Sequence, residues 1–185
     1  MLLQLKQVSQ KYPIIRGMIS YACIWPAGSY IQQKIAKEEE INCMRCIRFA
    51  MFGSCFVAPT LYMWIRISSK LWPALDFKTA VKKAVVEQFT YGPAAMVCFF
   101  SGMTFLEGGG INDAITEVRE KFFDTYKVAI CVWPVLQTIN FAFVHESNRV
   151  IFVSACSLIW TSFLAYMKQL KVEKTENQES QFSNR

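Results

Sequence analysis

Trp133, Gln137 and Asn140 are spaced i, i+4 and i+7, so a helix places one indole and two amides on a single face. Amides that deep in an apolar segment must find partners. Two arrangements satisfy them: interhelical hydrogen bonds worth about 0.6–2 kcal/mol each, or the wall of a polar pore. Gln32, Glu87, Gln88, Arg45, Arg48 and Arg149 stand near the ends of apolar segments. Such groups either snorkel to the surface or line a mouth. Cys43 and Cys46 make a lone C-x-x-C. Zinc would need a second pair or histidines at metal-ligand spacing, and a thioredoxin-type site would need a βαβ setting. The pair is therefore either inert or a redox-sensitive pair whose thiols are acidified by Arg45 and Arg48. The remaining cysteines, Cys23, Cys55, Cys98, Cys131 and Cys156, fall in apolar segments and act as small hydrophobes. His145 is the single histidine, which excludes multi-histidine metal sites. No phosphate-cradling glycine loop, Ser/His/Asp set or carboxylate pair in a pocket-like context is present. The expectation is a protein that is not an enzyme, with no catalytic residue, metal or cofactor.

The elements that position these residues follow from composition. Hydrophobic residues make up 53 % of the 185-residue chain and charged residues 18 %, below the quarter typical of soluble domains. Mean hydropathy is +0.22. The net charge of +6 points to a membrane rather than to nucleic acid as the partner, given that apolar excess. Five windows carry no charge: Gly17 to Gln33, Phe49 to Ile65, Gln88 to Leu106, Val128 to His145, and Val150 to Met167. Each approaches the roughly 20 residues that cross a bilayer as a helix. The expected fold is all-α: a polytopic transmembrane bundle of four to five spans with short amphipathic flanking helices. One such domain would cover 1–172, with a disordered polar tail over 173–185. Pro26, Pro59, Pro93 and Pro134 each fall inside one of the first four windows. Each kinks its helix, either to open a cavity or to shape packing.

Between the third and fourth windows, Gly108, Gly109 and Gly110 break helix continuity. Asn112 or Asp113 is then placed to cap a helix. Val118, Phe122, Phe123 and Tyr126 make an amphipathic run that feeds the fourth apolar window, which reads as a surface helix in the headgroups. The first 37 residues contain no acid, and Leu2, Leu5, Val8 and Tyr12 share a helical face, as in a weak mitochondrial targeting helix. Lys and Arg divide nearly evenly between the two sides of a five-span bundle, so they set no orientation. Cys23-Ile24-Trp25-Pro26 echoes Cys131-Val132-Trp133-Pro134.

The string Trp133-Pro134-x-x-Gln137-x-x-Asn140-Phe141, followed by Val144, Arg149 and Trp160, resembles the signature of the Mpv-seventeen family of small membrane proteins, also called the twenty-two-kilodalton peroxisomal membrane protein family. Upstream matches are Tyr12-Pro13, Gly28 with Gln32-Gln33, Arg45-x-x-Arg48, Gly53, Pro59, Trp64, Pro73, Gln88 and Pro93. The block from Gly102 to Tyr126 is most similar to the Mpv-seventeen-like branch. Ser29 stands where the family carries an acid in the first span, Asn42 where it has an acid before the Arg pair, and Glu87 where it has Asp.

The resemblance implies an organelle-membrane protein that forms or regulates a non-selective small-solute channel, with links to mitochondrial and peroxisomal homeostasis and to reactive-oxygen metabolism. A non-conducting membrane scaffold or assembly factor is the alternative. The resemblance implies the inner mitochondrial or the peroxisomal membrane; the acid-free basic N-terminus favours the mitochondrion, with the peroxisomal membrane as the alternative. The partners to expect are the lipid bilayer, small anionic metabolites and a second copy of the chain, with no direct contact to nucleic acid.

Overall fold

The computed structural model describes residues 12–163, all of whose regular elements are helical. Five helices correspond to the five uncharged windows. Helix α1 spans Pro13–Ile35. Helix α2 spans Cys43–Leu71, and α3 spans Phe77–Leu106 with a break at Thr90. Helix α4 spans Ile111–Phe143. A 3-10 turn, Glu146–Asn148, leads into α5, helical over 149–163. Helices α2, α3 and α4 are each long and apolar enough to cross a membrane. The amphipathic segment around Leu2, Leu5 and Val8, and the tail from residue 173, lie outside the described residues.

Burial differs from that of a water-soluble protein at both the surface and the interior. Large apolar side chains face outward, among them Met63, Phe89, Phe143 and Ile159, each at least 60 % exposed. Ser29, Gln33, Lys83, Glu87, Gln137, Asn140 and Arg149 are buried. Water would penalise so continuous an apolar surface, and hydrocarbon does not. The apolar core (Tyr21, Ala58, Leu61, Ile65, Ala80, Phe141, Val150 and Val153) draws on all five helices. A second aromatic knot packs Trp25, Phe49, Phe52 and Phe99 with ring centroids 5.8–6.1 Å apart. Trp25 and Trp133, the tryptophans of the echoed tetrapeptides, both pack against the first core.

Two glycines let α1 lie against α5. A Cβ added at Gly17 would sit 2.6 Å from Val150 Cγ1, and one at Gly28 would sit 3.2 Å from Leu158 Cδ1. Gly17→Ala is expected to destabilise the bundle by about 1–3 kcal/mol, because Val150 is short, branched and enclosed. Denaturant unfolding of the purified chain, followed by helical circular dichroism, measures this. An unchanged midpoint would remove the close contact from the account.

The prolines divide into two kinds. Pro26 and Pro134 lie within unbroken helices. Thr138 Oγ1 donates to the Pro134 carbonyl at 2.7 Å, the i to i−4 back-bond that keeps a threonine hydroxyl satisfied within a helix. Pro59 follows a π-helical turn, Gly53–Val57, which absorbs the register change. Pro93 lies in the first turn after the break at Thr90 (φ −124, ψ −79), where its missing N–H costs no hydrogen bond. It therefore marks a helix restart, not a kink within a continuous span.

The region after the glycines also departs from expectation. Gly108 adopts φ +88, a conformation that favours glycine. The N-cap of α4 is Gly110 rather than Asn112 or Asp113, and Asp113 reaches back to accept the Gly110 N–H at 2.7 Å. No separate surface helix forms. Helix α4 runs unbroken for 33 residues, about 50 Å at 1.5 Å per residue, which exceeds the hydrocarbon thickness. The physical reason is where the apolar stripe points. The Tyr126 hydroxyl donates to the Gln88 carbonyl at 2.8 Å and Phe122 stacks on Tyr126 at 5.4 Å, so the Tyr126 side of the run turns to α3, while Phe123 stays exposed.

Polar caps fix the remaining helix starts. Asn42 Oδ1 accepts the Arg45 N–H at 3.0 Å. Asp76 accepts the Thr79 N–H at 3.1 Å and its hydroxyl at 2.7 Å, which holds the Asp76 carboxyl below the usual carboxylate range.

Candidate functional site

Glu87, Gln137 and Asn140 meet in the bundle interior. Glu87 lies in the last turn of the first half of α3, and the two amides lie within two turns beyond Pro134 on α4. All three are at most 6 % exposed. The Glu87 carboxyl accepts twice, from Trp64 Nε1 of α2 at 2.9 Å and from Gln137 Nε2. Gln137 Oε1 in turn accepts Asn140 Nδ2 at 2.9 Å. Because Glu87 offers two acceptor oxygens, it sets the polarity of the chain: Asn140 donates to Gln137, and Gln137 donates to Glu87.

Aromatic residues frame this chain. Trp64 stacks on Tyr91 with centroids 5.8 Å apart, and the Tyr91 hydroxyl is 3.1 Å from Thr60 Oγ1. Trp133 is half-buried one turn below Gln137 and packs edge-on against Trp160 of α5 at 6.2 Å. The Asn140 Oδ1, Tyr21 Oη and Ser154 Oγ atoms are buried without a hydrogen-bond partner. Buried polar atoms of this kind call for water or another polar guest. They come from α4, α1 and α5, so the polar interior crosses the bundle rather than following one helix.

Glu87 is not a span-end group, as its place before the uncharged window suggested, but the centre of the polar chain. The first half of α3 continues the third span inward, so Glu87 is carried into the core. Gln88 is buried beside it and contributes its backbone carbonyl to Tyr126.

The other candidate residues are placed apart from this centre. Gln32 donates to the Thr161 carbonyl at 3.3 Å and ties α1 to α5. Its neighbour Gln33 is fully buried and joins Ser29, Asn42 and Cys46; Gln33 Oε1 accepts the Asn42 N–H at 2.6 Å. Ser29 therefore serves as an acceptor for Gln33, 3.4 Å away. Arg45 pairs with Glu38 at 2.9 Å on a half-exposed surface, a contact worth little. Arg48 is half-buried on the next turn of α2. Cys43 is exposed, and Cys46 is half-buried with its sulfur 3.5 Å from Gln33 Nε2; both thiols are free. Among the described residues no group of three or more His, Cys, Asp or Glu side chains is placed to hold a metal ion.

Arg149 is buried at the α4–α5 corner, where it donates to the Phe141 and Val144 carbonyls, each at 3.2 Å, and to Ser69 Oγ at 3.3 Å. Sequence reasoning missed Lys83, Trp64 and Tyr21 as site residues. The available signal for Lys83 was its position one turn before Glu87 on the same face of α3.

A family model described as the Mpv17 / PMP22 family matches residues 104–165, the stretch that holds Gln137, Asn140, Arg149 and Trp160. The chain is 26 % identical over 170 residues to the Mpv17-like protein of Xenopus laevis, covering 91 % of this chain and 83 % of that one. It is 28 % identical over 165 residues to the protein SYM1 of Yarrowia lipolytica, covering 89 % and 79 %. It is 26 % identical over 164 residues to the mitochondrial inner membrane protein Mpv17 of Caenorhabditis elegans, covering 89 % and 91 %. No solved structure matches the chain.

Proposed function

We propose a channel function for this chain, which belongs to the Mpv17 / PMP22 family and is a multi-pass protein of the mitochondrial inner membrane. It forms or regulates a non-selective path for small solutes, and so serves mitochondrial and peroxisomal homeostasis and reactive-oxygen metabolism. The observation that carries this is the polar interior. Glu87, Gln137 and Asn140 form a hydrogen-bonded chain in the middle of three membrane-crossing helices, flanked by polar atoms that lack protein partners. Pro134 lies within two turns before both amides, so a change in the bend of α4 there moves them together. The direct bonding of the chain describes a closed path. Opening requires the amides to exchange these partners for water, which their donors and acceptors permit. One end of the bundle, with Arg16, Arg66, Lys70, Lys78, Lys82, Lys83 and Arg149 against Asp76 and Glu146, carries a net positive charge, which favours anionic metabolites as the solutes. Nothing in the proposal involves catalysis.

One observation favours a second reading, a non-conducting scaffold. Gln137 and Asn140 satisfy one another and Glu87 directly, as packing glue would. Release of size-graded anionic, neutral and cationic solutes from liposomes holding the purified chain separates the two. The channel predicts release up to a size limit, with anions favoured. No release under reducing, oxidising or voltage-clamped conditions would leave the scaffold.

A further inference from the structure

We propose that Lys83 and Arg149 form a binding site for a phosphate group at the basic end of the bundle. Both side chains are buried, at 3 % and 6 % exposure. Both lie over one ring: Lys83 Nζ is 5.6 Å and Arg149 Cζ 5.4 Å from the Phe141 centroid. Their charges are therefore no further apart than the sum of those two distances. Among the described residues neither has a carboxylate within ion-pair distance. Two buried like charges without a counter-ion are costly, and a bound anion removes that cost.

The donor inventory points to a ligand with several oxygens. A guanidinium has five N–H donors, and Arg149 directs one each at Val144 O, Phe141 O and Ser69 Oγ. The Lys83 ammonium donates no hydrogen bond to a described residue; its near neighbour is the Phe141 ring. Two guanidinium donors and the whole ammonium are thus uncommitted beside the same ring, a match for the fork and point charge that hold phosphate.

The surroundings agree. The start of α1, the end of α2, the start of α3 and the α4–α5 corner share this end of the bundle, as the Gly17–Val150 and Arg149–Ser69 contacts require. Arg16, Arg66, Lys70, Lys78 and Lys82 lie there as well. The acids facing the pair are Asp76 and Glu146, both on exposed turns beyond ion-pair reach. A basic cleft between helix ends attracts phosphate, whether on a lipid headgroup or on a soluble compound. The site stands independently of whether the bundle conducts.

The test is thermal unfolding of the full chain in detergent micelles. Diphosphatidylglycerol, phosphatidylcholine and inorganic phosphate are titrated separately, since a ligand of the native state raises Tm. Diphosphatidylglycerol or inorganic phosphate raises Tm in the natural chain, while phosphatidylcholine does not. Lys83→Gln weakens the dependence about tenfold, Lys83→Arg retains it, and Lys78→Gln, which removes an exposed charge at the same end, leaves it intact. A shift with the lipid alone identifies a headgroup, and one reproduced by inorganic phosphate identifies a soluble phosphate compound. No shift with either, or an equal loss in Lys78→Gln, overturns the site. A second measurement needs no variant: the rate at which an amine-reactive reagent labels each lysine, read by mass spectrometry. The ligand that raises Tm slows labelling of Lys83 more than of Lys78; equal slowing also overturns the site.

Discussion

Leucine in place of Glu87 alone is expected to destabilise the bundle by about 2–5 kcal/mol, and by more than leucine at Glu87, Gln137 and Asn140 together. The single change strips the acceptor from two donors at once, Trp64 Nε1 and Gln137 Nε2. A buried donor left without a partner costs about 1–3 kcal/mol. The triple change removes the stranded Gln137 donor together with its partner. It also removes Asn140 Oδ1, which is unpartnered in the natural chain. Replacing whole sets of bonded polar groups by apolar groups of similar size is often neutral or stabilising. Glu87→Gln is the mild member of the series. The new amide can accept from Trp64 and donate to a flipped Gln137, provided Asn140 flips too and offers its unpartnered oxygen. Unfolding midpoints of the single and triple variants in micelles decide the matter. A triple variant weaker than the single one would mean that the three residues do not act as a unit.

Methionine at Arg149 is expected to cost about 2–4 kcal/mol and to open the α4–α5 corner to protease. The guanidinium bonds the last carbonyls of α4, at Phe141 and Val144, and reaches Ser69 at the end of α2. One planar fork therefore ties the ends of two helices to the start of a third. Arg149→Lys should recover little, because a single ammonium lacks the fork that spans three acceptors. Limited proteolysis around residues 144–149, read beside the unfolding midpoint, checks this. Full rescue by lysine would reduce the role of Arg149 to its charge.

Much of this architecture is legible in the sequence, and the departures have identifiable physical causes. Uncharged windows find the helices because hydrocarbon excludes charge. Window edges misplace the boundaries, because α3 and α4 carry charged turns that continue the helix beyond the apolar stretch. That is why Glu87, read as a span-end group, sits inside. It is also why the Val118–Tyr126 run, read as a surface helix, is the first half of α4. The i, i+4, i+7 spacing of Trp133, Gln137 and Asn140 identifies their shared face from sequence alone. Their partner on α3 is not visible there, since only packing brings Glu87 to Gln137. Spacing does not single out Lys83 either, because it cannot tell a snorkelling lysine from one turned toward Phe141.

The central claim, that the polar chain is the solute path, is tested most directly by solute release from liposomes. The Glu87→Leu/Gln137→Leu/Asn140→Leu variant is compared with the natural chain at equal amounts of folded protein. A path through these residues predicts size-limited release by the natural chain and its loss in the all-leucine variant, which stays folded. Undiminished release by the folded variant would contradict the claim and place the path elsewhere.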